Sequence, residues 1–283
     1  MSHVEGTARI LMCPPDHYGI EYEINAWMSR ARQADPEVAA RQWNDLRSAI
    51  TDAGAEATTM TPVEGLPDLV FTANAALIFR RTAVLARFRH DERQREVEHD
   101  RRWLEQDGFE ARTLSDEYFF EGAGDALFCG DTLFAGYRLR SDALGHQELG
   151  SQLGVRVIPM ELIDPYYYHL DTCFCPLRQG TAIYYPPAFD DYGRQALAEH
   201  VAELIPVEES EARRFACNAV VIGETVITNT GCPVLRGKLN ALGFATVETP
   251  LDEFTKAGGS AKCLTLRLDG EDAASWKHET ESD

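Results

Sequence analysis

Apolar and polar positions repeat along this chain as one unit written five times. Each copy has a polar residue at its head, followed by an apolar strand, a tight turn and a second strand. The copies read NAALIFRRTAVLARF from Asn74, DALFCGDTLFAGY from Asp125, DTCFCPLRQGTAIYYP from Asp171, NAVVIGETVITNT from Asn218, and KCLTLRL around Cys263. The heads recur at intervals of about 45 to 51 residues, and a repeated unit of this size buries its apolar face against its neighbours. If the units close into a ring, the five heads converge on one axis.

The segments between the hairpins repeat a second theme, a helix followed by a short strand. The spacing of apolar residues predicts helices over 36–53, 91–107, 142–153, 190–204 and 233–242. The strands that follow are AEATTM, FEARTL, VRVIPM, LIPVEES and FATVETP. Glycine ends four of the five helices, as expected for a left-handed cap.

The complete unit is therefore ββαβ, and five such units predict an α/β fold of the five-bladed α/β-propeller type. Strands would lie inside the ring and helices outside. No linker rich in Gly, Pro or Ser divides the chain, so we expect one domain over 1–283. The acidic tail, about 270–283, is expected to be frayed.

Composition limits the classes of protein to consider. The hydrophobic content of 44% is sufficient for a core, and no apolar run approaches the ~18 residues that a membrane span needs. The net charge of −19 disfavours nucleic acid and anionic membranes as partners. The N-terminus resembles no secretory signal, so we expect a cytoplasmic protein with its seven cysteines mostly free. A homo-oligomer could form through an outer helix, although no predicted helix has an exposed face apolar enough to indicate an interface.

Cys263 is the first candidate for chemistry. It follows AGGSAK, whose paired glycines would let the backbone turn sharply and present the thiol at the start of a strand. A cysteine nucleophile needs a cationic neighbour or substrate to favour the thiolate. The alternative is a buried core cysteine, an interpretation that fits Cys129, Cys217 and Cys232 better.

His169 and Asp171 lie in YYYHLDTCFCP. A His-x-Asp pair along a strand would place both side chains on one face, where they could transfer protons. The alternative is a core histidine that is hydrogen-bonded to the aspartate. A zinc site with Cys173 and Cys175 is disfavoured because no second pair of ligands has the usual spacing, so no metal or other cofactor is expected.

Glu121 and Asp125 lie in FFEGAGDALF, a glycine-rich turn that carries two acids beside an apolar strand. Acids in a closed ring are costly unless a cation pairs with them. A guanidinium group is planar, permanently charged and carries five N–H donors, so it fits several convergent carboxylates. The alternative is a pair of acids solvated on a loop.

Taken in order, these motifs resemble the guanidino-group-modifying superfamily of arginine deiminases, dimethylarginine dimethylaminohydrolases and amidinotransferases. The resemblance runs from LMCPPDHYGIEYEINAWM through PDLVFTAN, ERQRE, FEGAGDALF, RLRSD and YHLDTCFCPL to AGGSAKCLTL, nearly the whole chain. It implies the same five-bladed fold that the repeat predicts. The forms FTAN, MCPPDH and INAWM resemble the bacterial arginine dihydrolases, which convert arginine to ornithine, ammonia and carbon dioxide.

The resemblance also implies roles for individual residues. Cys263 would attack the guanidino carbon, and His169 would protonate the departing amine and then activate water. Glu121 and Asp171 would hydrogen-bond the guanidinium nitrogens. The remaining residues implied to contact a small-molecule guanidino substrate are Asp68, Asn74 and Asp125 in the pocket, Arg93 and Arg140 at the α-carboxylate, and Asn25 at the rim.

Asn74 departs from the deiminases and dimethylarginine hydrolases, which carry an aspartate at the matching position. The amide lowers the negative charge of the pocket and offers a donor and an acceptor to a neutral ureido group. Dihydrolase activity is therefore the preferred hypothesis. The alternatives are hydrolysis of dimethylarginine to citrulline and dimethylamine, a deiminase that stops at citrulline, an amidinotransferase, and a catalytically silent arginine-binding module.

Overall fold

Each repeat of the sequence folds into one three-stranded sheet in the computed structural model, which describes residues 7–278. The strand orders in the five sheets are β15-β1-β2, β3-β4-β5, β6-β7-β8, β9-β10-β11 and β12-β13-β14. The strands are β1 (Arg9–Met12), β2 (Glu56–Thr59), β3 (Ala76–Phe79), β4 (Thr82–Leu85), β5 (Glu110–Arg112), β6 (Ala126–Cys129), β7 (Thr132–Tyr137), β8 (Arg156–Glu161), β9 (Phe174–Arg178), β10 (Thr181–Tyr184), β11 (Glu203–Pro206), β12 (Val220–Ile222), β13 (Thr225–Asn229), β14 (Ala245–Thr249) and β15 (Leu266–Arg267). The predicted α/β fold of five repeated units is confirmed.

Every sheet has the same internal topology. Its first two strands form an antiparallel pair, and its third strand returns parallel to the second. The helices are α1 (Pro36–Asp52), α2 (Asp91–Gln94), α3 (Glu96–Gln106), α4 (Ala143–Leu153), α5 (Asp191–His200), α6 (Glu209–Ala212), α7 (Pro233–Ala241) and α8 (Asp252–Thr255). A helix precedes each parallel strand, because a parallel crossover needs a long connection.

The two ends of the chain complete the ring together. β15 pairs antiparallel with β1, with Ile10 opposite Arg267, so the last repeat takes two of its strands from the N-terminal region. This pairing was absent from the sequence-based expectation. It joins residues that lie more than 250 positions apart in the sequence, and β15 has only two residues.

The first helix forms where the pattern predicted it. Asp35 caps its N-terminus by accepting from Glu37 N and Val38 N, and Pro36 occupies the first turn. The face predicted to be apolar, formed by Ala39, Trp43, Leu46 and Ile50, is buried. Gly154 caps α4 in the left-handed conformation with φ of 67°.

Three local expectations were wrong. The helix predicted over 91–107 forms as two helices, α2 and α3, separated at Arg95. The residues on either side of this break, Arg93 and Glu96, form a buried ion pair. The helix predicted over 190–204 ends at His200, because buried Val201 is extended (φ −118°, ψ 113°) and leads into β11.

The tail is the third correction. Residues 270–278 are held rather than frayed, because Gly130 N donates to Ala273 O (2.7 Å) and Ser275 N donates to Gly130 O (2.9 Å). Trp276 packs at 5.3 Å from the Phe79 ring. The rest of the predicted frayed tail, 279–283, lies outside the described residues. Within 7–278, no helix has the length and apolarity that crossing a membrane would require.

Candidate active site

The five polar heads meet through a closed circuit of hydrogen bonds. Asn74 Nδ2 donates to Glu121 O (3.3 Å) in the second repeat, and Asp125 Oδ1 there accepts from Leu170 N (3.2 Å) in the third. In the fourth repeat, Asn218 Nδ2 donates to Asp171 O (3.0 Å) of the third, and Asn218 Oδ1 accepts from Cys263 N (3.1 Å) of the fifth. Ala73 N of the first repeat donates to Cys263 O (3.2 Å), which closes the circuit. The convergence that the repeat predicted is therefore present in the structure.

The heads lie in turns rather than at the starts of strands. Short 3₁₀ turns, Thr72–Asn74, Gly122–Gly124 and Leu170–Thr172, precede the strands of three repeats. The expectation that His169 and Asp171 lie on one face of a strand was therefore wrong, because His169 precedes a 3₁₀ turn that contains Asp171. Cys263 also lies in a turn, ahead of β15.

Cys263 is held between an amide and a carboxylate. Its Sγ accepts from Asn218 Nδ2 (3.1 Å) and lies 3.5 Å from Asp171 Oδ2. Burial, followed by the negative charge of Asp171, raises the pKa of Cys263 well above its ordinary value. Without a cation, the site therefore contains a thiol rather than a thiolate.

Asp171 is fully buried and lacks a partner on one side. Its Oδ1 has no hydrogen-bond partner among the described residues. Burial raises the pKa of Asp171 to about 7, although Lys262 and the hydrogen bonds from Cys263 and Asn218 oppose that rise. A planar cation that donates N–H to this oxygen would favour the carboxylate.

A fully partnered acid lies across the site. Glu121 Oε2 accepts from His169 Nε2 (2.6 Å) and Arg140 Nη1 (3.0 Å), and its Oε1 accepts from Arg89 N (3.1 Å). Burial alone would raise the pKa of Glu121, but Arg140 and His169 hold it well below the usual range. Burial also lowers the pKa of His169 to about 4, so its ring is neutral at pH 7 and Nε2 carries the proton that it donates.

Arg93 orients the amide of Asn74. Arg93 Nη1 donates to Asn74 Oδ1 (2.9 Å), which leaves the Nδ2 of Asn74 to donate toward the second repeat. The same guanidinium pairs with Glu96 (2.7 Å) and lies 3.9 Å from Asp68 Oδ2. Asp68 is buried, and its Oδ1 has no hydrogen-bond partner within the described region. Burial raises the pKa of Asp68, and Arg93 and the Tyr22 hydroxyl oppose that rise, so this carboxyl group is partly partnered within the described region.

The glycines of FEGAGD make room for this amide. A side chain on Gly124 would collide with Asn74 Nδ2, and one on Gly122 would lie 2.7 Å from Asn74 O. Gly122 also has φ of 61°, a conformation that L-residues rarely adopt. The second repeat can therefore approach the first only with glycine at these two positions.

Two predicted substrate contacts have other partners in this structure. Asp125 Oδ1 accepts from Leu170 N (3.2 Å) in the turn that carries His169, and its Oδ2 accepts from Ser141 Oγ (2.6 Å), which in turn accepts from Glu121 N (3.0 Å). Asn25 Nδ2 donates to Ala257 O (3.0 Å), and its Oδ1 accepts from the backbone of Trp27 (2.9 Å). Asn25 thereby joins residues 13–35, here named the rim loop, to the segment before Cys263.

The rim loop also contacts Arg140. Arg140 Nη2 donates to Ile24 O (2.9 Å), and the guanidinium lies 4.5 Å from the centre of the Tyr168 ring. The predicted contact of Arg93 and Arg140 with a substrate carboxylate stays a prediction. In this structure each arginine orients a pocket side chain, Asn74 for Arg93 and Glu121 for Arg140.

Asn218 is the site residue that sequence reasoning missed. It was identified as the head of the fourth repeat but was given no role, because an asparagine alone suggests no chemistry. Its position in the repeat was the available signal, since the other four heads were all assigned to the site. Its amide contacts the nucleophile candidate through both the backbone and Sγ.

All seven cysteines are free and buried, as the sequence predicted for most of them. Among residues 7–278, no group of His, Cys, Asp and Glu side chains is arranged to hold a metal ion. Within this region, the oxygens of the site acids instead accept from N–H, hydroxyl or thiol donors or lack a hydrogen-bond partner. The arrangement can bind a planar cation between buried carboxylates and bring its carbon to a thiol.

Comparison with known proteins agrees with this chemistry. The profile of the family described as N,N dimethylarginine dimethylhydrolase, eukaryotic, matches residues 15–268. The bifunctional arginine dihydrolase/ornithine cyclodeaminase ArgZ of Synechocystis sp. is 46% identical over 92% of this chain, which spans 37% of that protein. The N(G),N(G)-dimethylarginine dimethylaminohydrolase of Mycobacterium tuberculosis is 37% identical over 93% of this chain and 86% of its own length.

The solved structures show the same fold. The N-terminal domain of ArgZ, crystallised with substrate as a cysteine-to-serine variant, has a TM-score of 0.90 and 45% identity, covering 95% of this chain and 99% of that one. Its description calls it an arginine dihydrolase from the ornithine-ammonia cycle in cyanobacteria. By its motifs, its fold and these matches, the chain belongs to the dimethylarginine dimethylaminohydrolase family, within the guanidino-group-modifying superfamily.

Proposed function

We propose that this chain hydrolyses the guanidino group of arginine to ornithine, two ammonia and carbon dioxide. The observation that carries the proposal is the buried pair of Asp171 and Cys263. Among residues 7–278, one carboxylate oxygen of this pair has no hydrogen-bond partner, and burial keeps the thiol protonated. A guanidinium ion supplies both the N–H donors and the positive charge that this pair lacks. The relatives named as arginine dihydrolases support arginine as the substrate.

The first half of the reaction forms a covalent intermediate. The bound cation favours the thiolate of Cys263, and Sγ attacks the guanidino carbon to form a C–S bond. The C–N bond to one terminal nitrogen breaks, and the proton from the thiol leaves with that nitrogen as ammonia, relayed by His169. Glu121 holds the His169 ring in place for this transfer. A solved ArgZ structure described as covalently bound to a reaction intermediate supports such a species in that protein.

Water then completes the first hydrolysis. Neutral His169 accepts a proton from the water, whose oxygen attacks the amidino carbon, and the C–S bond breaks to regenerate the thiol. The product at this stage is a neutral ureido group. Its carbonyl oxygen can accept from the Nδ2 of Asn74, whereas an aspartate at that position would repel it.

A second round on the retained ureido group gives ornithine. Sγ attacks the carbonyl carbon, the remaining terminal nitrogen leaves as ammonia, and a second water cleaves the thiocarbamate. The resulting carbamate loses carbon dioxide to leave ornithine. Two waters are consumed per arginine, so atoms and charge balance.

We assign the remaining predicted residues within this scheme. Asp68 and Asp171 would hold the guanidinium nitrogens, and Asn74 would hold the ureido oxygen. Asp125 and Asn25 act through the backbone they position rather than on the substrate. Arg140 and Arg93 would bind the substrate carboxylate only after giving up part of their present contacts. The single domain, the cytoplasmic location and assembly into a homo-oligomer stay predictions.

Hydrolysis of dimethylarginine is the second candidate function. The family profile and the Mycobacterium tuberculosis relative, both described by that activity, favour it. The same thiol and acids would serve, with dimethylamine leaving in place of the first ammonia and citrulline as the final product. Asn74 favours the dihydrolase, because only that reaction requires a neutral ureido group to be attacked again.

The test is a parallel incubation of the purified chain with arginine, citrulline and dimethylarginine. Ornithine and two ammonia per arginine are expected, and the Cys263→Ser variant should lose at least about 10³-fold in rate. Release of dimethylamine without turnover of arginine would replace the proposal with the second candidate. Binding without turnover would indicate an arginine-binding module.

Asn74→Asp tests the assignment of the second round. The added carboxylate would pair with Arg93 and repel the ureido oxygen, so the variant should accumulate citrulline. The product ratio of citrulline to ornithine is the measurement. A variant that produces ornithine as completely as the parent would show that Asn74 has no role in the second round.

A further inference from the structure

Lys262 is the buried lysine beside the candidate nucleophile. It is one of four lysines in the sequence, and it is only 6% exposed. Its Nζ pairs with Glu271, which belongs to the C-terminal segment 269–278. A lysine at this depth is costly unless it is paired and has a role at its position.

Backbone contacts place Lys262 and Asp171 on either side of Asn218. Lys262 N donates to Asn218 O (3.2 Å), and Asn218 Nδ2 donates to Asp171 O (3.0 Å). Lys262 also immediately precedes Cys263, whose Sγ lies 3.5 Å from Asp171 Oδ2. The backbone of Lys262 is therefore held next to the candidate active site, and its side chain lines a cavity with Phe174 and Ala219, which follow Asp171 and Asn218 in the sequence.

The ion pair lies against residues that follow three of the heads. Lys262 and Glu271 line a cavity of about 10 Å³ together with Leu127, Phe174 and Ala219. These three residues each follow a head in the sequence, so the cavity borders the second, third and fourth repeats. Its volume is about that needed for a single water, so little space is left around the buried Lys262 side chain.

The C-terminal segment fixes Glu271 in this position. Arg267 pairs with Asp269 (2.6 Å) and Asp272 (2.9 Å), on either side of Glu271. Lys277 also pairs with Asp272 (2.6 Å). The acid that holds Lys262 is thus itself held by a network of charges.

We propose that Lys262, held in place by Glu271, is a positioning residue that keeps Asp171 in the carboxylate form required to bind a guanidinium. This inference rests on the proposed function. Lys262 is the cation that acts most strongly on Asp171. Among the described residues, the other titratable groups whose pKa values respond to Asp171 are neutral or negative. They are Cys263 from the last repeat, Asp125 from the second, and Tyr168, Cys173 and Cys175 from the third.

The electrostatic consequence has a definite sign. Burial raises the pKa of Asp171 to about 7, and the charge of Lys262 opposes that rise. Loss of the lysine charge would raise the pKa further and leave Asp171 neutral at pH 7. Loss of the Glu271 charge would have the opposite effect, because the field of Lys262 at Asp171 would no longer be partly cancelled.

The test is the pH dependence of kcat/KM for arginine in Lys262→Met, Lys262→Arg and Glu271→Gln. Lys262→Met should move the acid limb of this profile, the pH range in which kcat/KM rises as Asp171 ionises, upward by about one pH unit. From a pKa of about 7, kcat/KM at pH 7 should then be about fivefold lower and should recover near pH 9. Lys262→Arg should keep the limb near its original position, and Glu271→Gln should move it downward. Lys238→Met, which removes a lysine from an outer helix, is the matched control and should leave the limb unchanged.

Arginine affinity in a Cys263→Ser background should show the same shifts, because the thiol no longer titrates there. An unchanged acid limb in Lys262→Met would overturn the inference and leave the proposed function intact. If Lys262→Met does not fold, an unchanged or upward limb in Glu271→Gln has the same meaning. Failure of the parent chain to turn over arginine would overturn the proposed function and this inference together.

Discussion

Glu121 and Asp171 are both fully buried acids in one ring, yet their surroundings shift them in opposite directions. Glu121 is partnered on both oxygens, and its pKa is held below its usual range. Asp171 has an oxygen without a partner in the described region, and burial raises its pKa to about 7. The half of the site around Glu121 therefore has all its hydrogen-bond partners before substrate binds. The half around Asp171 gains its missing partner only from the substrate.

The complete half is stabilising and the incomplete half is destabilising. A buried charge that is paired is tolerated, whereas an unpaired one raises the free energy of the folded state. A protein retains an unpaired buried acid where a ligand supplies the partner. Substitutions at the two acids should therefore have opposite effects on stability.

The largest expected effect is that of Glu121→Gln. It removes the charge that pairs with Arg140 and orients His169, so unfolding should become easier by about 3–5 kcal/mol. Turnover should fall by about 10²–10⁴-fold through loss of proton transfer. Denaturant unfolding and ammonia release are the measurements. A stable and active variant would show that the two halves of the site do not differ as described.

Asp171→Asn should show the opposite combination. KM for arginine should rise by about 10- to 100-fold, because a charged hydrogen bond to the guanidinium is lost. The melting temperature at pH 8 should equal or exceed that of the parent chain. Because the folded-state pKa is raised, the cost of ionising Asp171 is greatest above pH 7, so this advantage should shrink toward pH 4. A large loss of stability at pH 8 would indicate that Asp171 is partnered like Glu121.

The pH dependence of the parent enzyme sharpens the comparison further. Only the carboxylate of Asp171 pairs with a guanidinium, so kcat/KM should rise by about tenfold per pH unit below 7 and level off above it. Glu121 and His169 should contribute no limb in that range, because the pKa of each is lowered. A flat profile from pH 5 to 8 would contradict the assignment.

Asn218→Ala should have the smallest effect of the four. Loss of the donor at 3.1 Å from Cys263 Sγ should lower kcat by about tenfold, with less change in KM. Alkylation of Cys263 by iodoacetamide should slow in parallel. Asn240→Ala on the outer face of α7 is the control, and an equal effect there would remove Asn218 from the site.

Most of the fold was accessible from sequence because the repeat is regular. The head, hairpin, helix and strand recur five times, and the apolar face of α1 matches the predicted residues. The pairing of β15 with β1 was not accessible, since no local pattern links a two-residue strand to the other end of the chain. The tail was predicted to fray from its acidity, but Arg267 and Lys277 neutralise the acids that suggested this.

Sequence reasoning identified best those site residues whose side chains are themselves reactive or charged. Cys263, His169 and Glu121 were all predicted, and the hydrogen bonds that join neighbouring repeats bring their segments together. The sequence could not show that Asp125 bonds to protein groups rather than to substrate. Its partners Ser141 and Leu170 lie far from its own motif in the sequence. Asn218 and Lys262 were missed because their importance lies in where the ring places them.

The most direct test of the account is proton release on binding of arginine to the Cys263→Ser protein. Calorimetric titration at pH 6.5 in phosphate and in bis-Tris, which differ in ionisation enthalpy, gives the number of protons released. With a pKa of about 7 for Asp171, the account predicts release of roughly three-quarters of a proton, and none in the additional Asp171→Asn variant. Equal binding enthalpies in the two buffers would mean that no proton is released, and would contradict the claim that a guanidinium completes this half of the site.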